Sequence, residues 1–150
     1  MLKIDVHTHI LPERLPDFRN VPGGERFVRI EHHAPGRARM IVNNSLFREI
    51  ESNSWSVEAR LADCDAAGVD VQVLSTVPVM FSYWAEPDVA LELAKRLNDH
   101  IAGVVAAHPA RFAGLGTIPM QNPDLAIAEL SAACGISGSR ASRSARTSTE

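Results

Sequence analysis

From Leu2 to His9 the chain alternates apolar and polar residues (Leu-Lys-Ile-Asp-Val-His-Thr-His), the two-residue period of a strand with unlike faces. Pro12 and Pro16 end that regularity. Two looser alternations follow, Glu25 to His33 and Arg37 to Glu51, with Pro35-Gly36 between them. They predict a small β-hairpin insertion over about residues 20–52. The period then lengthens. Val57, Leu61 and Cys64 fall at helical spacing, with Ser56 or Ser54 as N-cap and Gly68 as stop. Val69 to Val77 is rich in β-branched residues and predicts a strand, ended by Pro78. Pro87 suits a first helical turn, and Leu91, Ala94, Leu97, Ile101 and Val104 make one long amphipathic face, closed by His108-Pro109. Phe112 to Ile118 predicts a third core strand, and Asn122-Pro123-Asp124 starts a helix from Leu125 to about Cys134.

Strands alternating with helices imply parallel pairing through right-handed crossovers. The fold class expected is therefore α/β, the N-terminal part of a TIM (β/α)8 barrel. About three of eight units are present, in a fold of about 250 residues. The chain has 150 residues, of which 45% are hydrophobic and 22% charged, an ordinary globular balance that changes nothing. A net charge of −3 gives no sign of a nucleic-acid partner. No apolar run nears the roughly 18 residues of a membrane span, and Asp5 stands where a signal peptide would be apolar. Two cysteines are too few for a disulfide scaffold, and neither has a paired base for catalysis. A cytoplasmic protein is expected.

The composition changes abruptly from Ser137. The last stretch carries three arginines and one glutamate, +2 against −5 for the rest, and only Ala141 and Ala145 are apolar. The expected division is a partial barrel over residues 1–134 and a disordered tail over 135–150. One set of codons for Arg143 to Glu150, read two bases on, gives Ile-Gly-Thr-His-Val-Asn-Gly, a strand end bearing a histidine. A shifted reading frame near residues 135–139 is the expectation that follows.

His7 and His9 lead the candidate chemistry. Residues two apart in a strand share a face, so two imidazoles project together at a strand end, a bidentate grip for a borderline metal such as zinc. By residue type alone, a polar strand end facing solvent is an equal reading. The strand's place at the start of a βα alternation favours the metal, because barrel active sites gather at C-terminal strand ends. Arg48, after Phe47, offers a planar fork to a carboxylate, or is a surface arginine on a hairpin. Phe47, Met80, Phe81 and Trp84 are candidate pocket-lining residues, the last three just past a strand's C-terminal end. His32 and His33 read as hairpin surface, since adjacent strand residues face opposite ways. His100 reads as the exposed flank of a helix, and His108 as structural. Asp63, Asp65 and Arg60 read as helix-surface charges, and Arg111 as a strand-entry charge.

Lys3 to Pro12 (Lys-Ile-Asp-Val-His-Thr-His-Ile-Leu-Pro) resembles the opening of the amidohydrolase superfamily, whose first strand bears a His-x-His metal motif. Trp55, Val57 to Leu61, Gly68 to Gln72, Leu74 to Ala85 (Leu-Ser-Thr-Val-Pro-Val-Met-Phe-Ser-Tyr-Trp-Ala) and Arg111 to Gln121 resemble its aminocarboxymuconate-semialdehyde decarboxylase family. The resemblance covers roughly residues 1–134. It implies a zinc-dependent, non-oxidative decarboxylase of tryptophan catabolism by the kynurenine route. Such an enzyme converts aminocarboxymuconate semialdehyde to aminomuconate semialdehyde and diverts carbon from quinolinate. It implies His7 and His9 as the first two zinc ligands, Arg48 as a clamp on a dicarboxylate substrate, and a homodimer. The family's further histidine and aspartate ligands, and its catalytic histidine, have no matching position in residues 1–150. The zinc site is thus expected to be incomplete, with no catalytic residue in this chain and little or no activity from it alone. The alternatives are another metal-dependent decarboxylase or hydrolase of the superfamily acting on an aromatic acid, or a non-catalytic fragment that needs a partner chain.

Overall fold

A computed structural model describes residues 1–135; the disordered, frame-shifted tail expected beyond them lies outside the described residues. Strand β1 (Ile4–His9) is followed by three strands, β2 (Arg29–Ala34), β3 (Arg37–Val42) and β4 (Ser45–Glu51). Helix α1 (Val57–Ala67), strand β5 (Val71–Ser75), helix α2 (Pro87–Ala107), strand β6 (Phe112–Gly114) and helix α3 (Pro123–Ala133) complete the order. Two three-stranded sheets result. One is parallel, in the order β1-β5-β6; the other is antiparallel, in the order β2-β3-β4.

Local chemistry sets the boundaries. The Ser56 side chain accepts from the Ala59 backbone N–H and caps α1, and Gly68 ends it at φ 65°, a left-handed conformation that glycine adopts without strain. Asn122 caps α3 by accepting from Leu125 N–H, with Pro123 in its first turn. Pro87 opens the 21-residue α2, whose buried face is Ala90, Leu93, Ala94, Leu97, Asn98, Ile101 and Val104.

Three boundaries differ from the sequence expectation. The segment from Arg37 to Glu51 is two strands, because Asn43 and Asn44 adopt φ 51° and 56° and close a second two-residue turn. Strands β5 and β6 are shorter than expected, since pairing lapses at Ser75 and Gly114. Gly114 marks a close approach: a Cβ there would meet Ile101 Cγ2 at 2.6 Å, so β6 lies almost against α2.

The core has two parts. Ile10, Leu74, Ile101, Val104 and Phe112 pack between the parallel sheet and α1 and α2. Leu11, Phe18, Phe27, Met40, Met80 and Leu97 belong to a second cluster that ties the antiparallel sheet to the loop after β5. The other face of the parallel sheet is open, with Ile4 51% and Val6 70% exposed. No helix among the described residues is long and apolar enough to cross a membrane.

Candidate metal and carboxylate site

His7 and His9 lie at the C-terminal end of β1, with ring centroids 5.2 Å apart and planes at 85°. Strict alternation would place Asp5 on their face. It does not lie there, because β1 carries an irregularity: Asp5 pairs with Gln72 and Thr8 with Leu74, three residues against two. Asp5 therefore joins Gln72, which donates to its carboxylate at 3.3 Å, on the side of buried Leu74. The Asp5 carboxylate also accepts from the His7 backbone N–H at 3.3 Å, closing the irregular turn.

His9 is held from two directions. Its Nδ1 lies 2.9 Å from Ser75 Oγ, on the neighbouring strand β5. Its backbone carbonyl accepts a 2.6 Å bond from the Arg60 guanidinium on α1. Arg60 is only 8% exposed and also donates to Gln72 Oε1 at 3.2 Å. The expectation of a helix-surface charge is thus corrected. Arg60 falls three residues after Val57 and four before Cys64, within the buried stripe, and its guanidinium finds acceptors under the sheet. Burial pushes its pKa down, against the opposing pull of the Cys64, Asp63 and Asp5 side chains. Arg111, as expected, sits at strand entry, donating to Asp65 and to the carbonyls of Asp70 and Val69.

Arg48 lies on β4 opposite buried Met40. The outer face of this sheet bears Arg39–Glu49 and Arg37–Glu51 ion pairs at 3.1 and 3.5 Å, and Arg29 pairs with Glu31. Arg48 has no ion pair or side-chain hydrogen bond among the described residues, so it is the strand arginine left available. Phe47, 49% exposed, is the extra residue at the β3–β4 irregularity. The other aromatic-loop residues separate. Met80 is buried in the second core cluster, Trp84 packs against Phe27 with the Arg26 guanidinium 3.8 Å over its ring, and exposed Phe81 stacks on Tyr83.

Of the remaining histidines, His32 bonds the Glu13 carbonyl and packs edge-on against Trp55, anchoring β2 to the loop after β1. His100 is half-buried rather than exposed. Its Nε2 is shielded with no partner among the described residues, and burial pushes its pKa below the ordinary 6.5.

Two imidazoles with no bond between them are a donor pair that suits a borderline divalent metal. No group of three or more metal-binding side chains exists among the described residues. Ser75 and Arg60 were not among the residues read as functional. The helical spacing of Arg60 is visible in the sequence, whereas the meeting of Ser75 with His9 depends on a strand register 66 positions apart.

Comparison with known proteins sets this geometry in context. The model of a family described as Amidohydrolase matches residues 4–144. The 2-amino-3-carboxymuconate-6-semialdehyde decarboxylase of Dictyostelium discoideum is 50% identical over 129 residues, covering 86% of this chain and 36% of that protein. The protein of the same name from Caenorhabditis elegans is 44% identical over 125 residues, covering 83% and 31%. A dihydroxybenzoic acid decarboxylase from Polaromonas sp., solved with manganese and the inhibitor 2-nitroresorcinol, superposes with a TM-score of 0.58 at 24% identity, over 92% of this chain and 36% of that one. At that identity the likeness is one of fold. The chain spans about a third of the length of the relatives it matches, and its fold is the N-terminal part of their (β/α)8 barrel.

Proposed function

Because the chain belongs to the amidohydrolase family, we propose that it is the metal- and carboxylate-gripping front of a zinc-dependent, non-oxidative decarboxylase acting on aminocarboxymuconate semialdehyde. The observation that carries this reading is the His7–His9 pair, side by side at a C-terminal strand end. The 50% identical relative of that name supports this substrate. Imidazole donors favour zinc over manganese, which suits carboxylates better.

Zinc bound here would act as a Lewis acid beside the carbon that loses CO2. Two imidazoles are fewer than the three protein ligands of a catalytic zinc site. The remaining donors and the proton-handling group would come from outside residues 1–135. His7 and His9 would hold the metal, Ser75 and Arg60 hold His9, and Arg48 would take a substrate carboxylate through its planar fork and fix the substrate's orientation. Orientation of this kind discriminates a dicarboxylate from an aromatic monocarboxylate, which has no second group for the clamp.

Equilibrium dialysis of the 150-residue chain against zinc, followed by elemental analysis, tests the reading. Zinc uptake should require both His7 and His9, and the zinc-loaded chain alone should release no CO2 from aminocarboxymuconate semialdehyde. Uptake unchanged in His7→Ala and His9→Ala chains would contradict it. Adding the part of the Dictyostelium relative that this chain does not span as a second polypeptide should give CO2 release from aminocarboxymuconate semialdehyde; release from 2,6-dihydroxybenzoate instead would move the substrate to the aromatic acids.

A further inference from the structure

We propose that Ser75 is a positioning residue: its hydroxyl holds His9 as the Nδ1–H tautomer and so turns the Nε2 lone pair outward as the ligand. As a statement about the metal, this rests on the function proposed above; as a statement about the imidazole, it does not.

The deduction follows the single hydroxyl proton. Ser75 Oγ lies 2.9 Å from the backbone carbonyl of Thr8 and 2.9 Å from His9 Nδ1. A carbonyl oxygen only accepts, so the contact with Thr8 commits the hydroxyl proton to it. Toward His9, Ser75 Oγ then has only lone pairs to offer. A neutral imidazole facing a lone pair must present N–H, so Nδ1 carries the proton and Nε2 is left unprotonated. The other assignment would set two lone pairs against each other at one of the two contacts.

Backbone geometry keeps Ser75 in place. His9 pairs with Ser75 in the parallel register, and Ile10 N–H donates to the Ser75 carbonyl at 3.0 Å. Arg60 fixes the carbonyl of His9 from the opposite side of the strand at 2.6 Å. The residue is thereby held at its backbone and at Nδ1, and Nε2 is left without a partner among the described residues. His7 has no hydrogen bond to its ring among the described residues, so the pair is asymmetric, with one ring anchored by a hydrogen bond and one held only by its edge contact with the other. Metal-ligating histidines commonly gain basicity and orientation from an acceptor on the other nitrogen, and here the acceptor is a serine whose own proton is anchored elsewhere.

The test is imidazole tautomer assignment by long-range 1H–15N correlation on the metal-free 150-residue chain, under mildly alkaline conditions where free imidazole is neutral. Wild type should show His9 protonated at Nδ1. Ser75→Thr, which keeps a hydroxyl, should retain that state, and Ser75→Ala should shift His9 toward the Nε2–H form that predominates in free histidine. His9 protonated at Nε2 in the wild-type chain overturns the proposal without any variant, as does an unchanged tautomer in a folded Ser75→Ala chain. Zinc titration of the same samples gives the second readout. Ser75→Ala should bind zinc about 10- to 100-fold more weakly than wild type, with Ser75→Thr close to wild type. If the tautomers follow the expectation but zinc uptake ignores His7 and His9, the metal reading falls and the assignment of Ser75 to the imidazole stands.

Discussion

The antiparallel and parallel sheets differ in where their order comes from. In β2-β3-β4 the neighbouring strands are joined by two-residue turns, one face packs on the core and the other is laced by Arg–Glu pairs. Its partners are adjacent in sequence, so it is nearly self-contained. In β1-β5-β6, Ile4 pairs with Val71 and Gln72 with Phe112, across long crossovers, and one face is left with Ile4, Val6 and Leu115 exposed. The histidine pair sits on the dependent sheet and Arg48 on the self-contained one. The metal grip therefore relies on anchors brought from distant parts of the chain, and the carboxylate grip on a strand paired with its sequence neighbour β3, whose Met40 packs on the core.

The largest effect that sharpens this comparison is Leu74→Ala. Leu74 is fully buried at the centre of the parallel sheet, and its truncation should cost about 2–5 kcal/mol in urea unfolding. Leu46→Ala on exposed β4 should stay within about 0.5 kcal/mol. Equal losses would break the distinction. Next comes Arg60→Met, which keeps much of the packing but leaves the His9 carbonyl and Gln72 Oε1 without a buried donor. About 1–3 kcal/mol should be lost, together with zinc affinity. An unchanged zinc isotherm would show that the anchor under β1 does not reach the site.

His100 gives a pH-dependent effect on α2, which packs on the parallel sheet. Burial lowers its folded-state pKa below the ordinary 6.5, so the folded chain binds fewer protons there than the unfolded chain. The associated stability is present above pH 6.5 and is lost as pH falls through the depressed folded value. The slope from this one group is at most about 1.4 kcal/mol per pH unit. Thermal melts of His100→Asn between neutral and mildly acid pH should lack that part of the slope. The smallest effect is Arg39→Ala, which removes an exposed ion pair from the antiparallel sheet. About 0–1 kcal/mol should be lost, vanishing in high salt.

Much of this molecule is legible in its sequence, and the limits have physical causes. The caps Ser56 and Asn122, the stop at Gly68 and the α2 stripe act through neighbours a few residues away, so local pattern suffices. The Asn43-Asn44 turn is marked only by a break in the loose alternation, Met40-Ile41-Val42 followed by Asn43-Asn44-Ser45, which Pro35-Gly36 overshadows as a turn signal. Arg60 reads as a surface charge by residue type, although its helical position lies between Val57 and Cys64 in the buried stripe. The place of Asp5 was concealed by an irregularity that inverts which face follows it, something alternation cannot register. His7 and His9 could be picked out by type and spacing. What holds His9 comes from residues 51 and 66 positions away, brought together by a crossover and a register.

X-ray absorption at the zinc edge, on the zinc-loaded 150-residue chain, tests the central claim most directly. The account predicts multiple-scattering features of two imidazoles at about 2.0–2.1 Å from the metal, reduced to one in either His7→Ala or His9→Ala. Zinc surrounded by oxygen alone, or an imidazole count indifferent to both substitutions, would contradict it.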